Sequence, residues 1–63
     1  MRELFKGQEV MIYHDPLTQT KEEGLAVLLR RANSTIPECE LWKVKFLGFG
    51  DEVFRFILTK NPS

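Results

Sequence analysis

The stretch Gly24-Leu25-Ala26-Val27-Leu28-Leu29-Arg30-Arg31 decides the fold, and its residues fit two conformations. In a helix, Leu25, Leu28, Leu29 and Ala32 fall at i, i+3, i+4 and i+7 and form one apolar stripe. Thr20 and Glu23 have the spacing of a capping box, Arg30 and Arg31 suit a C-terminal turn, and Asn33 can end it. In a strand, Leu25, Val27 and Leu29 take the core side, with Ala26 and Leu28 on the other. Local signals favour a helix at 21–32 and hence an α+β fold. Gly24 opposes the helix by only about 1 kcal/mol relative to Ala.

Downstream the pattern is plainer. Glu40-Leu41-Trp42-Lys43-Val44-Lys45-Phe46 alternates strictly, with Trp42, Val44 and Phe46 on one side and Leu41, Lys43 and Lys45 on the other. Period-two alternation is the mark of a half-buried strand. Leu47-Gly48-Phe49-Gly50-Asp51 then reads as a glycine-rich turn, and Val53-Phe54-Arg55-Phe56-Ile57 as the returning strand of a hairpin. Leu58-Thr59 either extends that strand or makes a short last one, and 60–63 is a polar tail.

Upstream, Met1 to Leu4 is a lead-in and Phe5 to Glu9 a turn, with Gly7 free to take positive φ. Val10-Met11-Ile12-Tyr13 is the first strand, Val10 and Ile12 sharing a face. His14 to Glu23 is polar and contains Asp15-Pro16, which favours a turn, so a long connecting loop is expected with Leu17 folded back onto the core. Ala32 to Cys39 is a second connection.

The totals narrow the function classes. Sixty-three residues make one domain, 1–63, of marginal stability, with little room for buried catalytic machinery. Nine basic and nine acidic residues balance to zero net charge. This weakens a nucleic-acid reading, which usually comes with a basic excess, and does little to prevent self-association. One cysteine, Cys39, permits no internal disulfide, and one Cys with one His is a poor zinc set. The start of the chain has no signal-peptide pattern, and no run approaches the roughly 18 apolar residues of a membrane span, so a cytoplasmic location is expected.

The landmarks Lys6-Gly7-x-x-Val10, Tyr13-x-Asp15-Pro16-Leu17-Thr18, Glu23-Gly24-x-Ala26-x-Leu28, Glu40-x-Trp42-x-Val44-x-Phe46 and Arg55-x-Ile57 carry a resemblance over residues 5 to 58. The chain resembles a group of short bacterial and phage-associated proteins that are similar to Src-homology-3-type and Tudor-like small barrels. The match lies in order and spacing rather than in any one motif. The resemblance implies an all-β, five-stranded small barrel with the second strand at Gly24–Arg31, and a general role as a binding module. It implies no reaction, because fold does not fix function. It also places Glu23 where it can pair with Arg55 and hold the loop against the sheet.

Several residues carry candidate chemistry. Trp42 is the only tryptophan; a core role beside Val44 and Phe46 is favoured over that of an exposed partner anchor. Tyr13 and Phe49, with Asp15 or Asp51 as carboxylates, occupy the positions where Tudor-like barrels build aromatic cages for methylated cations. Two rings are few for a cage, so a generic contact patch is favoured. Lys43, Lys45, Arg55 and Arg30 are candidates for one phosphate-contacting surface. The competing reading, a solvated face paired with Glu40 and Glu52, is preferred. Phe54 and Phe56 interleave with that surface and supply a stacking platform only if exposed.

His14-Asp15 lacks the nucleophile or metal that catalysis requires, and Cys39 has no histidine beside it in sequence. Asn33-Ser34-Thr35 matches a glycosylation acceptor by accident in a chain without a secretory signal. Gly48-Phe49-Gly50 lacks the lysine and strand-to-helix context of a phosphate loop. The expectation is a non-enzymatic interaction module that binds protein, with no cofactor and no membrane contact. Nucleic-acid binding is the alternative.

Overall fold

A computed structural model describes residues 3–59. The expected polar tail at 60–63 and the first two residues of the expected lead-in lie outside the described residues. Four strands, β1 (Glu9–Asp15), β2 (Thr20–Ala32), β3 (Cys39–Phe46) and β4 (Glu52–Leu58), form one antiparallel sheet in the order β1-β2-β3-β4. The sheet curls into a half-barrel, and no helix is present among the described residues. The fold is all-β. The sheet has four strands among the described residues rather than the expected five; Leu58 extends β4, and Thr59 lies just beyond it.

The helix at 21–32 is overturned, since β2 covers that segment in full. A lone amphipathic helix gains one packed stripe. As a strand the same segment pairs with β1 on one side and β3 on the other, and tertiary pairing overrides weak local propensity.

The expected facing of β2 is also reversed. Ala26 and Leu28 are fully buried, whereas Leu25 is 48% exposed and Val27 and Leu29 are half-buried. Register sets this outcome. Directly opposed residues of antiparallel strands share a face. Val10 lies opposite Ala26, Ile12 opposite Gly24, Phe46 opposite Ala26 and Val44 opposite Leu28. The large core residues of β1 and β3 thus face the small residues Gly24 and Ala26 of β2 near its start. An extra residue, Leu29, interrupts the register between Leu28 and Arg30 and lets β2 turn around the core.

The core is Val10, Ile12, Ala26, Leu28, Trp42, Val44, Phe46 and Ile57, with Leu4 and Val53 packed against it. Ile12, Leu28 and Val44 are its largest fully buried side chains, each worth about 1.5–3 kcal/mol of transfer free energy. The alternation expected for β1 and β3 holds, with Val10, Ile12, Trp42, Val44 and Phe46 all buried.

The expected long loop at 14–23 is a tight turn at Pro16–Gln19 between β1 and β2. Asp15 builds it: its Oδ1 accepts the N–H groups of Leu17 and Thr18, and its carbonyl accepts that of Gln19 at 2.8 Å. Leu17 is half exposed and does not fold back onto the core. Gly7 takes positive φ as expected, and its N–H donates to Leu28 O at 2.8 Å, which ties the lead-in to β2.

Candidate functional site

An open cleft of about 330 Å³ lies between the two hairpin ends. His14 at the end of β1 and Glu22 and Glu23 at the start of β2 form one wall. Phe46, Phe49, Asp51, Val53 and Arg55 form the other, along the β3–β4 hairpin.

Glu23 reaches the cleft through a register break. Pairing steps from Ile12↔Gly24 to Tyr13↔Glu22, so Glu23 is the extra residue of a bulge. A bulge re-aims a side chain, and this one turns the Glu23 carboxylate inward. Arg55 Nε donates to Glu23 Oε1 at 2.8 Å, and Arg55 Nη2 to Oε2 at 3.3 Å. The Glu23 side chain is 16% exposed. The hydrogen bonds from Arg55 hold its carboxyl below the usual range; burial opposes this, and the nearby Arg55 and His14 charges assist it. His14 Nε2 stands 3.8 Å from Glu23 Oε2.

The hairpin turn supplies the aromatic wall. Phe46 N–H donates to Asp51 O at 3.0 Å and Gly50 N–H to Phe46 O at 2.8 Å, with Gly50 in positive φ. This closure folds Phe49 over Phe46, ring centroids 5.0 Å apart and planes 21° off parallel. Phe46 is buried and Phe49 is 65% exposed, so the stack presents one ring to solvent. The Arg55 guanidinium lies 6.0 Å from the Phe46 ring centre. Three carboxylates, Glu22, Glu23 and Asp51, and one guanidinium, Arg55, line the cleft. Arg55 is committed to Glu23, and among the described residues Glu22 and Asp51 have no ion-pair partner.

The candidates from the sequence separate. Phe49 and Asp51 meet in the cleft, but Tyr13 does not line it. Along β1, Tyr13 is one residue out of phase with Ile12 and His14. Asp15 is occupied by its own turn. Trp42 is buried, and its indole N–H donates to Glu40 Oε1 at 2.9 Å, which makes it a core residue.

Lys43, Lys45 and Arg55 do not share a surface. Arg55 lies opposite Trp42 on the inner face, while Lys43 lies opposite Phe54 and Lys45 opposite Glu52 on the outer face. Arg30 takes the place of Arg55 there, opposite Lys43 and 5.5 Å from the centre of the Phe54 ring. Lys43 Nζ is 3.7 Å from Glu52.

His14, Glu22, Phe46 and Val53 were missed as cleft residues. The tight Asp15 turn is the local signal that brings His14 and Glu22 to one rim. Cys39 is buried, and burial, followed by the Glu38 and Asp15 charges, pushes its thiol upward, which suits a structural thiol. Among the described residues, no three ligand-type side chains converge as a metal site, and no helix is long and apolar enough to cross a membrane.

No protein-family model, curated protein or solved structure matches the chain.

Proposed function

We propose that this chain is a non-enzymatic protein-binding module, and that the cleft receives a basic segment of its partner. The observation that carries the reading is the exposed Phe49 ring beside the unpaired Glu22 and Asp51 carboxylates. An aromatic face and nearby carboxylates both attract a cationic side chain. Arg55 and Glu23 satisfy each other and serve as the floor. The site is a stacking surface with an acidic rim, not the Tyr13–Phe49 cage.

Kinship with Src-homology-3-type and Tudor-like five-stranded barrels, which the sequence resemblance implies, is part of the same proposal; the four described strands carry only its all-β, antiparallel part.

Titration of isotopically labelled protein with a capped arginine–glycine peptide tests the reading, with a glutamate–glycine peptide as control. Amide shifts are expected at Glu22, Phe49 and Asp51 with the basic peptide alone. Silence at those positions with the basic peptide, or equal response to the acidic one, rejects the proposal.

A second reading, nucleic-acid binding, is favoured by one observation: Arg30 covers a Phe54 ring that is 44% exposed, beside Lys43. Binding on this outer face would weaken steeply with salt and disappear on combined Lys43→Ala and Lys45→Ala substitution. No gel shift at low salt eliminates it.

A further inference from the structure

The two edges of the sheet differ in how they are guarded. Strand β1 carries Glu9, His14 and Asp15, meets Pro16 at its end, and faces a register break at Ile12/Tyr13. Charges, proline and irregularity are the usual means by which an edge strand resists pairing. Strand β4 has neither proline nor a register break, and little charge beyond its first residue. Val53-Phe54-Arg55-Phe56-Ile57-Leu58 holds one charge, Arg55, and that charge is bound to Glu23. Its register with β3 runs unbroken through seven pairs.

The amides of β4 that turn away from β3 can be identified, and among the described residues no other strand pairs with them. Phe46 N–H donates to Asp51 O and Thr59 N–H to Glu38 O. Both contacts follow the β3–β4 register, and hydrogen-bonded pairs alternate along an antiparallel ladder. Residues 53, 55 and 57 therefore turn their backbone groups toward β3, and 52, 54, 56 and 58 turn theirs outward; of these, Phe54 O already accepts from Arg55 Nη1 at 2.9 Å, a contact that strand pairing would replace.

We propose that this outer edge of β4 pairs antiparallel with β4 of a second copy of the chain. A two-fold axis at Arg55 sets Phe54 opposite Phe56 on the outer face and Val53 opposite Ile57 on the inner face. Each side thus matches itself, aromatic to aromatic and aliphatic to aliphatic. The exposed part of Phe54 is covered. The two Arg55 side chains meet with their charges already offset by Glu23. Zero net charge on the chain adds no long-range repulsion between copies. A seven-residue edge buries less than a standard interface, so the dimer is weak and concentration-dependent. The proposal is independent of what the cleft binds.

Sedimentation and amide hydrogen exchange, each followed from about ten micromolar to about one millimolar protein, test it. The expected result is a rise in mass toward the dimer, with slowed exchange at Phe54, Phe56 and Leu58 and none at Met11 or Tyr13. Phe54→Glu faces Arg30 and Lys43 within its own sheet but sets a carboxylate against the partner's β4 strand. It should raise the dissociation constant by roughly tenfold or more, about 1.4 kcal/mol. A monomer throughout the range, protection that rises at β1 instead, or a folded Phe54→Glu chain that dimerises unchanged would each overturn the proposal. Should Phe54→Glu not fold, the exchange pattern of the unaltered chain decides.

Discussion

Arg55 donates two hydrogen bonds to Glu23 across 32 residues of chain, at 2.8 and 3.3 Å. The pair joins the bulge of β2 to the strand at the far edge of the sheet, and so closes the inner face at its open end. Glu23→Ala and Arg55→Ala should each cost about 1 kcal/mol, because the pair is bidentate but Arg55 is partly solvated. A double-mutant cycle in urea should return a coupling of about 0.5–1 kcal/mol. A coupling of zero would show that the two side chains are neighbours without being partners.

The same pair sets an acid limit on stability. The Glu23 carboxyl is held below its ordinary value of 4.5, first by the hydrogen bonds from Arg55. A folded value below the unfolded one gives stability that is present above the unfolded value and lost as pH falls through the folded one. The urea midpoint should therefore drop as the pH is lowered from about 5. In Arg55→Ala this drop should be shallower, since the cause of the shift is gone. Parallel curves for the two proteins would exclude the assignment.

Phe46 and Phe49 stack on each other yet should respond oppositely to truncation. Phe46 is buried against the core, and Phe46→Ala should cost about 3–5 kcal/mol, enough to unfold a domain this small. Phe49 is mostly exposed, and Phe49→Ala should cost less than about 1 kcal/mol while removing the ring that faces the cleft. Thermal melts of the two variants check the contrast. Comparable losses would place Phe49 in the core and withdraw it from binding.

The strands that read correctly from sequence are those with one covered face. In β3 the inward Trp42, Val44 and Phe46 are all large and apolar, and Lys43 and Lys45 mark the outside, so only one phase is sensible. In β2 both faces carry aliphatic residues, and the wider stripe of Leu25, Val27 and Leu29 points outward. Neither a helical wheel nor an alternation count reveals this. The phase comes from the partners, through Ile12 over Gly24 and Phe46 over Ala26. The separation of Arg55 from Lys43 and Lys45 is likewise a matter of register, although the Glu23–Arg55 pairing was expected from the barrel resemblance. The cleft stayed hidden because its walls are remote in sequence. His14 and Phe49 are brought to one rim only when both hairpins close.

Gly24 tests the β2 geometry most directly. It sits beside the bulge with φ of 139°, a region that side-chain-bearing residues rarely adopt. Space is not the obstacle, since a Cβ there would lie 3.8 Å from Phe46 Cδ1, an ordinary contact. The cost of Gly24→Ala is therefore conformational, about 1–3 kcal/mol, and is not relieved by trimming the neighbour. Phe46→Leu shortens the facing side chain and should leave the Gly24→Ala penalty unchanged within about 0.5 kcal/mol in a double-mutant cycle. Had the strain been steric, the smaller partner would recover most of the loss. Urea unfolding of the four proteins distinguishes the two, and a neutral or stabilising Gly24→Ala would mean that β2 does not take the bulged path that carries Glu23 to Arg55.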